Sequence, residues 1–537
     1  MDCRPYPLSR LPHATRLLTD YLENFSRLAD FYAHPPTREG ILRAAKAVRL
    51  SPERRSLVAD VLTRQNRQFG ADAAVERNIE RFRNGAVAIV TGQQVGLFSG
   101  PAFTFYKALG ALRLARELTE SGFDAVPIFW MASEDHDLAE VNQCYWPTRA
   151  GFELIELPFS ELVVGRPVGR VELPEEVTVA VETACAKLEG PSSPHVSEAL
   201  RESYRPGETL GTAFGRLMAR LFAGRGLILI DPLDPDLHAP VKEVYLAALD
   251  ARDQLDGELL ARAERLVNRG YHAQVRVSEE STLLFWEQDG RRVPVEFRGG
   301  KFYVGQVGAS PSELRKAISE RPERASGNVL LRPVIQDALL GTAASLGGAA
   351  EIAYLAQAQA VYQRLGVPMP AVLPRPGFTL VEPQLARLLA KYHLGITDVF
   401  KGRQHLRQLM ESETLPGDLI QRFTAGEAQL RELLANLRDP LVRLDATLAG
   451  ALETVERKIL YQYTKLHEKA GHAIGLRSGI LDRHEQMLTD LLYPRHGLQE
   501  RTLCFLPMLA WQGMQLLDRI EECASPEAGQ HMVITPD

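Results

Sequence analysis

Residues 86–101, AVAIVTGQQVGLFSGP, decide how the rest of the chain is read. The first seven form a short apolar, β-branched run ending in Thr-Gly, the pattern of a parallel strand buried on both faces. The loop behind it carries Gly92, Gly96 and Gly100 and runs straight into a helical pattern, FTFYKALGALRLARELTESG. Ser99 is expected to cap that helix and Gly122 to end it. VPIFWMA, 126–132, is a second buried strand, so 86–132 make a strand–helix–strand crossover unit. LILID, 227–231, and MPAVLPR, 369–375, read as further strands of the same sheet, after which strand signals cease. The fold class is α/β around a parallel sheet.

Outward from this unit, residues 9 to about 84 read as helices, with LTDYLENFSRLADFY and the stretch from Ser51 to Phe82 repeating apolar residues every three or four positions. His34-Pro35-Pro36 breaks them. Residues 281–304 alternate around Asp-Gly and Gly-Gly turns, an antiparallel meander inserted into the α/β body. The organisation expected is a helical lead-in over 1–85 packed on the core and a core over 86–380 with insertions near 150–225 and 270–325. An α-helical coiled-coil domain over 381–492 and a C-terminal segment over 493–537 returning to the core complete it. In the coiled-coil region Leu430, Leu434, Leu437, Leu441, Leu444, Leu448, Ala451 and Val455 alternate spacings of four and three. Pro440 fits this pattern if Asp439 caps a new helix that begins at Pro440. From Pro440 to Lys469 such a helix would be about 45 Å long, too long to hide against a compact core. Periodicity alone fits an intramolecular hairpin and a dimer contact equally.

A length of 537 residues corresponds to about three to four domains at roughly 150 residues each. The 62 Lys and Arg against 68 Asp and Glu leave a net charge of -6, so no global basic footprint points to nucleic acid. No window approaches the roughly 18 uninterrupted apolar residues of a membrane span, and MDCRPYPLSRLPHA has an acid and three prolines where a signal peptide has an apolar run. A soluble, cytoplasmic protein with no membrane partner is expected. The cysteines at 3, 144, 185, 504 and 523 form no close pair in the sequence, so neither a disulfide framework nor a zinc motif is expected, and no metal site is assigned.

Several segments could carry chemistry. Gly92, Gln93, Gln94 and Gly100 lie at the carboxyl end of a buried strand and before a helix N-terminus, where backbone N–H groups suit an anion; structural turn glycines would look the same. Lys107, further along that helix, is either a ligand for the same anion or simply solvated. Glu134, Asp135, His136 and Asp137 close the second strand. A histidine flanked by carboxylates suits a general acid or base, and a polar loop with His136 donating to a backbone carbonyl is the alternative. Asp231, with Asp234, suits either magnesium or ribose or a capped turn. Arg332, Gln336, Asp337, Gly348, Glu351 and Tyr354 gather near a Gly-Gly, and Arg332 offers a fork for a carboxylate or phosphate. Surface salt bridges would have the same composition.

The segments VTGQQVGLFSGPAFTFYK, VPIFWMASEDHD, LRPVIQD, GGAAEIAY, MPAVLPR and YPRHGLQER together resemble the bacillithiol biosynthesis cysteine-adding enzymes, the BshC family of cysteine ligases. The resemblance implies a Rossmann-like nucleotidyltransferase core related to class I aminoacyl-tRNA synthetases, with connecting insertions, and a coiled-coil domain used for homodimerisation. It implies that L-cysteine is joined to glucosaminyl malate through an amide bond, the last step of bacillithiol synthesis, with ATP and Mg2+ activating the carboxyl group. It also places Arg375, the end of MPAVLPR, among the nucleotide- and substrate-binding residues. Neither H-x-G-H nor K-M-S-K-S occurs, so ATP activation follows from relatedness, with TGQQVGLFSGP in the loop of the first signature. Another ATP-dependent ligase or nucleotidyltransferase on the same core, or a non-catalytic coiled-coil scaffold, would share much of this pattern.

Overall fold

The computed structural model describes residues 2–278, 280–413, 417–475, 479–525 and 529–535. Its centre is a five-stranded sheet of β1 (Val87–Gln93), β2 (Ala125–Met131), β3 (Ile228–Ile230), β4 (Thr342–Gly347) and β5 (Ala371–Pro374). All four pairings are parallel, in the order β5-β4-β1-β2-β3. The β-branched and apolar side chains of β1, β2 and β3 are buried, as a sheet covered on both faces requires. Winding proceeds from β1 through β2 to β3 on one side and resumes at β4 on the other, so the crevice between the carboxyl ends of β1 and β4 is a topological switch point.

The helix after β1, α1 (Phe103–Glu120), starts behind Pro101 and Ala102, and Ser99 does not cap it. Ser99 is buried with φ +76° in a run of three left-handed residues, Phe98 to Gly100, that turns the chain first. A capping residue needs extended backbone, which Ser99 lacks. Gly122 follows the helix at φ +86°, as expected of a left-handed stop.

β4, TAASLG, went unrecognised because it has no β-branched run. Its small side chains admit close packing instead: a Cβ on Gly110 of α1 would lie 3.0 Å from Leu346 and 2.7 Å from Pro376. Strand signals also continue past residue 375. Asp2–Pro7 pairs antiparallel with Gln530–Thr535, which pairs parallel with Gly377–Leu380. The partners are more than 150 residues apart, so no local pattern announces them.

The inserted meander forms as read, from Ser281–Gln288, Arg291–Arg298 and Lys301–Val304, and gains Val307–Ala309 and Ala325–Gly327 as outer strands. The lead-in is helical over Pro52–Phe69 and Ala73–Arg83, capped by Ser51 and Asp72. The pattern over 18–32 is α-helical only to Glu23 and continues as two short 3-10 turns.

Two helices joined by the short turn at 445–447 form the protruding arm: α4 (Gly417–Leu444) and α5 (Leu448–Gly475). Ion pairs Arg438–Glu453 and Arg431–Glu456, and the Phe423–Tyr463 ring contact, show that they run antiparallel. α4 continues through Pro440, and the break falls at 445–447, so Asp439 caps no new helix. Pro440 is exposed and loses only one backbone bond, while Leu434 and Leu441 keep the helix packed on either side of it. The leucine seam therefore divides. Leu434 and Leu452 are buried within the hairpin, whereas Leu437, Leu444 and Val455 are exposed.

Candidate active site

A cleft of about 320 Å³ opens at the β1/β4 switch point. Its floor is made by the strand ends: Thr91 Oγ1 donates to the Leu346 carbonyl at 3.0 Å, tying β1 to β4. Gly92 leaves no room for a side chain, since a Cβ there would lie 2.6 Å from the Trp130 carbonyl oxygen on β2. One wall is α1, and the other two are α2 (Arg332–Leu340) and the N-terminus of α3 (Ala349–Leu365).

Lys107 is buried rather than solvated. It reaches back along α1 to the Gly92 carbonyl at 2.7 Å, Gln93 Oε1 at 3.1 Å and Glu351 Oε2 at 2.7 Å. Burial pulls its pKa down, against the pull of Glu351. Burial works the other way on Glu351, but Lys107 and the Gly348 N–H hold its carboxyl below the usual range. That N–H donates to Glu351 Oε2 at 2.7 Å, so one carboxylate caps α3 and neutralises Lys107. Arg332 donates to Gln336 Oε1 at 3.1 Å and to the Tyr354 hydroxyl at 3.0 Å, both neutral. Burial opposes its charge, yet Tyr354 and Glu351 hold its pKa above the ordinary value. Arg375 stacks on Phe103 and pairs with buried Glu500 at 2.6 Å.

The sequence-predicted residues Gly92, Gln93, Gln94, Lys107, Asp135, Arg332, Gln336, Gly348, Glu351, Tyr354 and Arg375 thus converge on one cleft. Others stand apart. Gly100, at φ +67°, packs against Gly96 and turns the chain away from the cleft. Asp337 lies behind Gln336, accepting from it at 3.1 Å and from the Tyr362 hydroxyl, and burial pushes it up to about 6. Asp231 accepts from Ser133 Oγ and from the Leu233 N–H, and Asp234 caps a 3-10 turn while pairing with Arg64: both serve turns.

The 134–137 cluster splits three ways. Asp135 lines the cleft and accepts from Gln94 Nε2 at 2.8 Å. Glu134 is buried, and burial pushes its carboxyl up to about 7 against the opposing charges of Arg292 and Arg332. His136 is half-exposed, with Nδ1 3.5 Å from Arg292 and 3.6 Å from Asp135 Oδ1, while Asp137 is exposed. Arg292 comes from the inserted meander, where Ser326 and the Gly327 carbonyl fix it. Arg292, Glu500 and Arg501 went unassigned in the sequence. The density of charge in YPRHGLQER was the only local signal for the last two. Among the described residues, no group of three or more His, Cys, Asp and Glu side chains is placed to hold a metal, and no helix is long and apolar enough to cross a membrane.

Comparison with known proteins gives two family matches: "Bacillithiol biosynthesis BshC, N-terminal Rossmann-like domain" over residues 1–376, and "Bacillithiol biosynthesis BshC, C-terminal coiled-coil domain" over 378–536. Among curated relatives, the chain is 40% identical to one from Koribacter versatilis, over 99% of each chain. It is 36% identical to one from Solibacter usitatus, covering 99% of this chain and 100% of the relative. A third, from Salinibacter ruber, is 32% identical, with 99% and 100% covered. All three carry the name "Putative cysteine ligase BshC".

Proposed function

The chain belongs to the bacillithiol biosynthesis BshC family, and from that premise we propose that it is a cysteine ligase, joining the carboxyl group of L-cysteine to the amine of glucosaminyl malate. The observation that carries the reading is Arg332: a half-buried guanidinium facing a switch-point cleft, bonded only to neutral groups, beside the N-terminus of α3. That arrangement suits a carboxylate or phosphate. It supports the binding of acidic substrates in a chain whose relatives are named cysteine ligases.

A carboxylate does not condense with an amine at neutral pH, and ATP with Mg2+ supplies the activation when bound. Gly347 and Gly348, bare of side chains beside the α3 N-terminus, leave space for phosphates, and the ion would ride on those phosphates. The chain's own residues do the rest. Arg332 and the backbone N–H groups at the start of α3 orient the anion. Lys107, neutralised by Glu351, fixes Gln93 and the strand end. The acceptor amine must attack unprotonated, and its proton passes to Asp135 on the cleft wall or to His136 beside it.

The test is incubation with L-cysteine, glucosaminyl malate, ATP and Mg2+, followed by mass detection of the thiol product. A product that disappears when any one component is omitted is expected. Folded protein that yields none would overturn the reading, and product formed without ATP would overturn the activation step.

A further inference from the structure

One more cation faces the cleft. Lys107 is matched by Glu351, and Arg375 by Glu500. Arg501 also lines the cleft, is exposed, and makes no side-chain hydrogen bond or ion pair among the described residues. It stands on a short helix, α6 (Gln499–Thr502), in the part of the chain matched by the coiled-coil family model.

The backbone under Arg501 is firmly held. The Gln499 side chain accepts from the Leu380 N–H at 2.8 Å and donates to the carbonyls of Leu380 and Leu491 at 2.9 and 2.7 Å. Glu500 accepts from Arg375 and, at 2.7 Å, from the Phe378 N–H. Arg501 is repelled by Arg375 and attracted by Glu500 and Glu351, but it forms an ion pair with neither carboxylate, so its fork stays open to a ligand. A second hollow of about 370 Å³ adjoins the first, and Arg375 and Arg501 line both. The second is walled by the N-terminal segment, with Leu11 and Leu18 among its apolar side chains.

We propose that Arg501 is an anion-binding residue that the C-terminal unit contributes to the cleft, clamping the carboxylate or phosphate groups of a substrate that extends from one hollow into the other. The proposal rests on the anion-binding reading of the cleft but not on the ligation reaction. Arginine is suited to the role because its planar fork meets either group with two parallel bonds.

The experiment is calorimetric titration of the full chain with two probes, pyrophosphate and malate, on wild type and on Arg501→Gln. At least one probe is expected to lose about 10- to 100-fold in affinity, the range of a charge-assisted hydrogen bond. The probe affected distinguishes a phosphate from a carboxylate. Arg501→Lys should recover part of the loss, and melting temperatures should match, since the side chain supports nothing else. Affinities within twofold for both probes, or a wild-type protein that binds neither, would overturn the proposal. A failed ligation assay alongside an anion affinity that depends on Arg501 would instead count against the proposed reaction alone.

Discussion

At the scale of single residues, Glu134 and His136 divide the work that the SEDHD segment suggests. Burial raises the Glu134 carboxyl to about 7, so this residue changes charge near neutrality. The linkage has a definite sign. Between about pH 4.5 and 7 the folded state holds a proton that the unfolded state has released, so stability falls as pH rises through that window. Glu134→Gln should therefore melt like wild type near pH 4 and above it at pH 8, by on the order of 3 kcal/mol at most. A melting-temperature difference that does not change between those pH values would refute the assignment. His136→Ala probes the other half of the cluster. If the imidazole moves the acceptor's proton, ligation should fall by at least about tenfold with the fold retained. If Asp135 moves it, His136→Ala should turn over near the wild-type rate and Asp135→Asn should carry the loss. Steady-state rates of the two variants, read with their melting curves, decide between them.

At the scale of elements, the N-terminus of α3 is bolted to α1 through the Lys107–Glu351 pair, whose lysine is buried and whose carboxylate is 27% exposed. Truncating the glutamate leaves Lys107 as an uncompensated buried charge, at a cost of about 3–5 kcal/mol. Glu351→Ala should destabilise by that order, and Lys107→Met by less, because water reaches the carboxylate that it leaves. The double variant Lys107→Met/Glu351→Gln should recover most of it, because the glutamine still caps Gly348 and no lone charge remains. Additive losses in denaturant titrations would show that the two side chains act independently. This pair also shows what the sequence could and could not disclose. β1, β2, β3 and β5 were legible as short apolar runs, and Arg332, Gln336, Glu351 and Tyr354 as polar groups near a Gly-Gly. Lys107 was legible as a candidate ligand but could equally have been solvated, because its burial depends on α3, more than 240 positions away. β4 was hidden by small residues, and the strands at 2–7 and 530–535 by pairing partners at opposite ends of the chain. Arg501 needed the return of the C-terminal segment to Arg375 before its position had any meaning.

At the scale of the whole molecule, the question is what covers the arm. The hairpin of α4 and α5 satisfies itself only in part: Leu434 and Leu452 are buried between the helices, yet Leu433, Leu437 and Leu444 on α4 and Val455, Tyr461 and Leu466 on α5 remain exposed. Leu433, Leu437 and Leu444 follow one another at spacings of four and seven, a single stripe along α4. An apolar stripe on an arm roughly 40 Å long is unusual for a monomer and suits pairing with a second copy. Wild-type protein is therefore expected to run as a dimer in light scattering at micromolar concentration, and Leu437→Glu/Leu444→Glu as a monomer with unchanged helical signal. Leu434→Glu is the control, since it attacks the inside of the hairpin and should reduce the helical signal itself. The cleft is built from the sheet, α1, α2, α3 and α6, none of them on the arm, so the monomeric variant should keep its activity per chain. A wild-type protein already monomeric at that concentration would remove the dimer, and a monomeric variant that loses turnover would mean that the arm reaches the chemistry by some route other than pairing.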